Sequence, residues 1–165
     1  MDRSKVADIS QIVSSAAILF TLIYLAVEVS QNTAALNAQS RETVLSISQA
    51  SLFAALDNPE IIESFVKPET LTPHEKIRLN SFLVAFLRGR EFAWLQYRDG
   101  IIDDGQWNTE LAALRFVMLP TRNRDWWERF GRLNFSPEFA AFVDTEFAGT
   151  PPTDELWQGL LDWEN

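Results

Sequence analysis

The sequence predicts an all-α protein in which a long N-terminal hydrophobic helix continues into a compact bundle of about five helices. Three observations lead to this prediction. No Gly or Pro occurs between Asp2 and Asn58. Beyond Asn58, helix-start and helix-stop residues alternate with apolar residues at helical spacing. Neither an alternating strand pattern nor an Asn-Gly hairpin signal is present in the sequence.

The first helix contains an apolar run from Ile9 to Val29, and its centre from Ile12 to Val27 carries no charged residue. These central residues would form about 24 Å of helix, and the flanks extend this toward the roughly 30 Å of a bilayer core. The run therefore predicts a single transmembrane span. Apolar residues at approximately helical spacing extend the helical pattern as far as Asp57, as one long helix or two nearly collinear ones: Leu36, Val44, Ile47, Leu52 and Leu56.

The apolar run has two other interpretations. A cleaved signal peptide would be followed by an Ala-x-Ala type site, which the residues after Glu28 lack. A core or oligomer-interface helix of a soluble protein stays open, because the run is short for a span. Arg3 and Lys5 precede the run and only Arg41 follows it closely, so the positive-inside rule favours a cytoplasmic N-terminus.

One face of the predicted span carries most of its polar atoms and is a candidate helix–helix interface. Hydroxylated side chains at such a face allow close approach and hydrogen bonds between helices in lipid. The alternative is that these hydroxyls bond to their own helix and face lipid. The face consists of Ser14, Ile18, Thr21, Leu25 and Glu28.

The remaining helices are predicted from their ends. Pro59 starts a short helix that ends before Lys67-Pro68, and Thr72-Pro73-His74-Glu75 forms a capping box for a helix that ends near Gly100. Asp103 or Asp104 caps a helix that stops at Pro120, and a further turn or two covers residues 124–130. Ser136-Pro137 starts a helix that ends at Gly149, and Thr153 or Asp154 starts a last one through Trp163.

The composition limits the classes of function. Fourteen Lys and Arg against 23 Asp and Glu give a formal net charge of −9, which is unfavourable for binding nucleic acid. With no Cys and a single His, His74, the chain lacks the residues for thiolate metal sites or catalytic triads, and it contains no nucleotide-binding or hydrolase motif. We expect no enzymatic activity, no cofactor and no metal.

Two sets of charged and aromatic residues are candidates for ligand contact. Arg88, Glu91, Trp94 and Tyr97 are a candidate pocket for a small molecule, although an ordinary ion pair between Arg88 and Glu91 is an alternative. The second group is a candidate contact for an anionic surface, unless its tryptophans are core residues covered by arginine stems. It comprises Arg122, Arg124, Trp126, Trp127, Arg129 and Arg132.

The chain resembles a widespread set of uncharacterised bacterial proteins that have an N-terminal hydrophobic helix and a Trp-rich helical C-terminal domain. The resemblance rests on Leu-Ile-Tyr-Leu-Ala-Val at residues 22–27, followed by Gln31-Asn32-Thr33. It extends through residues 96–100, residues 103–107, Trp126-Trp127 and residues 136–139. It implies no activity. The residues before Gln31 are often basic in such relatives, whereas Glu28, Val29 and Ser30 stand here.

Together these features predict a membrane anchor over residues 1–30 and a helical domain over residues 31–165. We expect a non-enzymatic, single-pass protein of the bacterial inner membrane, with membrane lipid and a second copy or another membrane protein as partners. One alternative is a helical sensor of a small molecule or lipid. The other is a soluble helical protein whose N-terminal helix is an oligomer interface.

Overall fold

A computed structural model describes the backbone of residues 3–162 and the side chains of residues 11–162. Within these residues the chain forms seven α-helices and one short 3₁₀ helix, without a β-strand. The predicted all-α class is therefore confirmed. Six α-helices follow the long first one in this part of the chain, against a prediction of about five. The side chains of Arg3 and Lys5, used for the predicted orientation, and Trp163, the predicted end of the last helix, lie outside the described residues.

Helix α1 (Arg3–Asp57) is continuous, so of the two predicted alternatives the chain forms one long helix and not two nearly collinear ones. It ends where Pro59 follows, since proline disfavours helical geometry in the residue before it. The Asn58 side chain donates a hydrogen bond to the Ala54 carbonyl (3.0 Å) and so satisfies one group of the last turn. Pro59 then occupies the first turn of α2 (Pro59–Val66), as predicted.

Helix α3 (Pro73–Arg98) begins with the predicted capping box. The Glu75 carboxylate accepts a hydrogen bond from the Thr72 backbone N–H (2.7 Å), while the Thr72 hydroxyl accepts from the Glu75 N–H. Hydrogen bonds from Lys67 and from Thr72 lower the pKa of Glu75 to about 2. Gly100 follows the helix at φ +73°, the left-handed conformation that its lack of a Cβ permits.

The C-terminal helices follow the predicted boundaries closely. They are α4 (Asp104–Val117), α5 (Thr121–Arg129), α6 (Pro137–Glu146) and α7 (Glu155–Leu161), with the 3₁₀ helix Gly131–Asn134 after α5. Asp103 and Ser136 cap α4 and α6 through their side-chain oxygens. Helix α5 begins directly after Pro120, three residues before the predicted start, and Pro120 stands before it in an extended conformation without a side-chain cap.

The chain divides into two compact units, one up to Gln39 and one from Ser40 onward. The predicted domain boundary follows residue 30, and the limit of the membrane anchor itself stays a prediction. In the first unit the described residues form only helix. The second unit contains a core of buried side chains from α1 to α7, rich in aromatic residues. Its fully buried members include Phe65, Leu83, Leu87, Leu114, Met118, Phe139 and Val143.

Candidate functional site

The candidate membrane span is a continuous stretch of exposed apolar residues in α1. Every side chain of residues 11–29 is exposed except Ala16, which is half-buried. One helix near the N-terminus is long and apolar enough to cross a membrane, by its length and composition. Eleven large apolar side chains of this stretch are exposed: Ile12, Val13, Ile18, Leu19, Phe20, Leu22, Ile23, Tyr24, Leu25, Val27 and Val29.

The free energy that covering these side chains would release is large. Burial of one such side chain is worth about 1.5–3 kcal/mol, so covering eleven that are about half exposed releases on the order of 10 kcal/mol. A typical domain has a total stability of about 5–15 kcal/mol. Residues 12–29 therefore favour a medium or partner that removes them from water.

The candidate helix–helix interface lies within this stretch, and all five of its members are exposed: Ser14, Ile18, Thr21, Leu25 and Glu28. The Thr21 hydroxyl donates a hydrogen bond to the Ala17 carbonyl at 2.9 Å. Thr21 thus bonds to its own helix, which is the alternative stated above for the hydroxyl groups of this face. The interface stays a prediction.

A buried polar cluster in the second unit, formed by Ser48, Arg90 and Glu110, was missed by sequence reasoning. Arg90 and Glu110 are 2% and 4% exposed and form an ion pair between α3 and α4. The Ser48 hydroxyl lies 2.9 Å from Glu110 Oε1 and accepts a hydrogen bond from Arg90 Nη2 at 2.9 Å. The guanidinium also lies 4.7 Å from the centre of the Phe86 ring.

The cluster joins residues 40–57 of α1 to the rest of the second unit. Burial lowers the pKa of Arg90, and the Glu110 carboxylate acts in the opposite direction. Next to the cluster, α1 approaches α3 so closely that a Cβ added at Gly89 would lie 2.5 Å from Ile47 Cγ2. The contact between α1 and α3 therefore combines a close backbone approach with the Ser48–Arg90 hydrogen bond, next to the buried ion pair between α3 and α4.

A sequence signal for the cluster exists, although it is weak. Arg90 falls at helical spacing with Leu83, Leu87 and Trp94, and Glu110 does so with neighbouring core residues of α4. Two opposite charges at core positions of consecutive helices indicate a buried pair. Which arginine forms that pair depends on how the helices align. The sequence analysis proposed Arg88 as the notable arginine of this helix, whereas Arg90 forms the buried pair.

The first two members of the candidate ligand pocket form an ion pair. Arg88 Nη1 lies 3.0 Å from Glu91 Oε2, as the alternative interpretation expected. The other Glu91 oxygen accepts a hydrogen bond from the Ser136 backbone N–H at 2.8 Å. Glu91 thus connects α3 to the start of α6.

The two aromatic members have protein partners as well. Trp94 packs against Phe139 and Phe142, with ring centroids 5.7 and 5.8 Å apart. Tyr97 stacks on Trp107 at 5.3 Å and donates a hydrogen bond to Asp104, which raises the pKa of its phenol. These contacts lend no support to a pocket formed by the four residues, and the ligand hypothesis stays a prediction.

Two arginines of the candidate anionic contact bond to backbone carbonyls. Arg122 Nη2 donates to the carbonyls of Lys67 (2.7 Å) and Glu69 (3.0 Å), which follow α2. Arg124 donates to the Thr150 carbonyl (2.6 Å), and its guanidinium lies 4.0 Å from the centre of the Phe147 ring. Burial lowers the pKa of Arg124. These cations hold loops in place.

The tryptophans of this segment are core residues, as the alternative interpretation expected. Trp126 and Trp127 are 8% and 4% exposed. Each indole N–H donates at 2.9 Å, Trp126 to Asn80 and Trp127 to Asp144. Asp144 also accepts from Arg132 at 2.5 Å.

Arg129 differs from the other arginines of the segment. It is exposed, and among the described residues no ion pair or hydrogen bond of its side chain is found. The segment therefore offers one free guanidinium in place of the four that sequence reasoning proposed.

Comparisons with protein-family models, with curated proteins and with solved structures give no match to this chain. Among the described residues, no group of three or more His, Cys, Asp or Glu could hold a metal ion.

Proposed function

We propose that this chain is a non-enzymatic, single-pass membrane protein whose helical domain acts as an interaction or accessory subunit. The observation that supports this proposal most directly is the exposure of the eleven large apolar side chains in residues 12–29. A helix satisfies its own backbone hydrogen bonds, which is a condition for crossing lipid. With Ile9 and Val29 the apolar run is about 30 Å long, close to the thickness of a bilayer core.

The proposal includes the bacterial inner membrane as location and a cytoplasmic N-terminus. The distribution of Arg3, Lys5 and Arg41 supports this orientation, and the resemblance to bacterial proteins supports the location. The interaction role of the domain is supported by its exposed apolar side chains outside the span, such as Ile77, Phe130 and Leu133. It is also supported by the lack of catalytic motifs in the sequence.

Alkaline carbonate extraction and flotation of the full chain, expressed in bacteria, test membrane insertion. We expect the protein to stay in the membrane pellet after carbonate treatment and to float with lipid vesicles. Complete release into the supernatant as an oligomer would contradict the proposal and favour the soluble alternative, in which the N-terminal helix is an oligomer interface.

Cysteine labelling tests the orientation, because the chain contains no cysteine of its own. Single variants Ser4→Cys and Glu138→Cys place one thiol on each side of the apolar run. We expect a membrane-impermeant maleimide to label the Glu138→Cys variant in intact spheroplasts, and the Ser4→Cys variant only after lysis. The reverse pattern would place the helical domain in the cytoplasm.

A further inference from the structure

The part of α1 that belongs to the second unit carries an exposed apolar face. Its members are large apolar side chains that are 54–72% exposed: Leu45, Leu52, Phe53 and Leu56. Another face of the same residues packs inside the unit, since Val44 is buried and Ser48 bonds to Arg90 and Glu110. Ile47, beside Gly89 of α3, belongs to this packed face. Helical spacing separates the centres of the two faces by about a third of a turn, so a partner helix can lie on the exposed face without displacing α3 or α4.

The exposed face follows the residue spacing of a coiled coil. Steps of four, three and four residues separate four exposed positions, which correspond to heptad positions d, a, d and a: Leu45, Gln49, Leu52 and Leu56. Phe53 flanks them at position e. In a coiled coil each a and d side chain inserts between side chains of a facing helix. This spacing indicates a second helix as the partner, and these four positions are called the seam.

The seam ends at a residue on each side. Toward the N-terminus the next a position is Glu42, which is exposed and would bring a carboxylate into the contact. Toward the C-terminus α1 ends at Asp57, directly after Leu56. The contact is therefore limited to the four layers of the seam.

Gln49 indicates which helix covers the seam. In a parallel, in-register pair of identical helices each a or d residue faces its own copy, so Gln49 would face Gln49. An amide both donates and accepts hydrogen bonds, and two such side chains satisfy each other. An antiparallel pair would place Gln49 opposite Leu52, where the amide loses water and gains no partner. The seam is thus self-complementary in the parallel arrangement.

The area of such a contact is close to the lower limit for a stable interface. Covering roughly 100 Å² on each seam residue and on Phe53 buries about 1,000 Å² in two copies, the size at which specific interfaces begin. The proposed membrane span would confine the copies to one membrane. Confinement raises their effective concentration and so supports an interface of this size.

We propose that the seams of two copies pair as a short parallel coiled coil, so that the chain forms a homodimer. The three leucines and Phe53 leave water in this dimer, and the two Gln49 amides bond to each other. The contact is distinct from the candidate helix–helix interface of residues 14–28. It rests on the proposed function, because membrane insertion supplies the confinement and the dimer specifies the interaction role.

Disulfide cross-linking tests the dimer in isolated membranes that contain the full chain, which has no cysteine of its own. The variants Leu45→Cys and Leu52→Cys each place one thiol in the seam. The matched control, Ala54→Cys, places it on the opposite, exposed side of α1. We expect at least tenfold more linked dimer from each seam variant than from the control, because a disulfide needs Cβ atoms only about 4 Å apart.

Sedimentation velocity in detergent micelles, over a range of protein concentrations, tests the strength of the contact. Leu52→Arg combined with Leu56→Arg places like charges opposite each other, so we expect the dimer dissociation constant to rise about tenfold or more. The matched control, Ala50→Arg combined with Ala54→Arg, adds the same charge at exposed positions away from the seam and should dimerise like the parent. We expect circular dichroism to show the same helix content in all variants.

Several outcomes would overturn the proposed dimer. They are a parent that is monomeric throughout, a Leu52 and Leu56 variant that dimerises like the parent, and equal cross-linking of the seam variants and the control. A Leu45→Cys chain that cross-links only to a Leu56→Cys chain would show an antiparallel pair instead. Failure of membrane insertion is a separate result, since the arginine variant of the seam should lose the dimer yet stay in the carbonate-resistant pellet.

Discussion

Residues 12–29 and residues 40–57 belong to the same helix, α1, but differ in what their side chains contact. In the first stretch no large apolar side chain is buried. In the second, Val44 is 2% exposed, and Ser48 bonds to Glu110 on α4. Two leucines of this second stretch nevertheless stay in water, since Leu52 and Leu56 are 66% and 72% exposed.

The difference shows that helix formation and burial are separate properties of a sequence. Both stretches lack Gly and Pro, so both satisfy their backbone hydrogen bonds locally. Their hydroxyl groups illustrate the contrast, because Thr21 bonds to its own helix while Ser48 bonds to two other helices. Only the second stretch is bound by specific contacts within its unit.

The largest expected effect concerns the first stretch. Leu19→Arg combined with Ile23→Arg places two charges near the centre of the proposed span, where each costs about 2.5–3.5 kcal/mol. We expect the protein to move from the carbonate-resistant pellet to the supernatant. The matched control, Leu52→Arg combined with Leu56→Arg, adds the same charges at exposed positions of the second stretch and should remain in the pellet. Equal behaviour of both variants would contradict the distinction between the two stretches.

A somewhat smaller effect is expected on stability when the Arg90–Glu110 ion pair, to which Ser48 of the second stretch is bonded, is broken. Glu110→Ala leaves the Arg90 guanidinium buried without its carboxylate, which costs about 3–5 kcal/mol of unfolding free energy. For a chain of this size we expect Tm to fall by on the order of 10 °C, measured by circular dichroism in detergent.

The control for this prediction is Asp99→Ala, which removes an exposed ion pair with Arg98 and should cost less than about 1 kcal/mol. A second variant, Arg90→Met with Glu110→Leu, replaces the buried pair by apolar residues and should recover most of the lost stability. If Glu110→Ala proves no more harmful than Asp99→Ala, the buried pair does not stabilise this unit.

The smallest expected effect concerns the close approach of α1 to α3. In Gly89→Ala the added methyl would meet Ile47 Cγ2 at 2.5 Å, and a β-branched side chain has little freedom to move away. Overpacking outweighs the gain in helix propensity, so we expect a loss of about 1 kcal/mol in unfolding free energy. Adding Ile47→Ala should reverse the sign of the Gly89→Ala effect in a double-mutant cycle.

Gly159→Ala is the control for the Gly89 variant, since Gly159 lies in α7 with no atom within 4 Å of its added Cβ. Here the alanine should stabilise by about 0.5–1 kcal/mol, because only the helix propensity changes. A stabilising Gly89→Ala substitution would show that Ile47 can move, and that the helices are less tightly packed than they are in the structure.

Residues that act on their neighbours in sequence were sufficient to predict most helix boundaries. The Thr72 and Glu75 capping box, the proline that starts α2 and the left-handed Gly100 were all predicted, because each acts through neighbours in sequence. The candidate sites were harder to predict. Arg122 and Arg124 were proposed as free cations, yet they bond to carbonyls that lie 26 to 58 residues away in the chain. Such partners are not visible in a local pattern.

The sequence by itself determined that the chain is helical and that residues 12–29 are apolar enough to cross a membrane, because backbone hydrogen bonds and hydropathy are local properties. The tertiary structure decided which charges are buried and which are free. It paired Arg90 with Glu110 across two helices, used Glu91 to hold α6, and left Arg129 exposed beside an apolar groove. Those outcomes depend on the relative positions of helices, since an ion pair forms only where packing brings two side chains within a few ångströms.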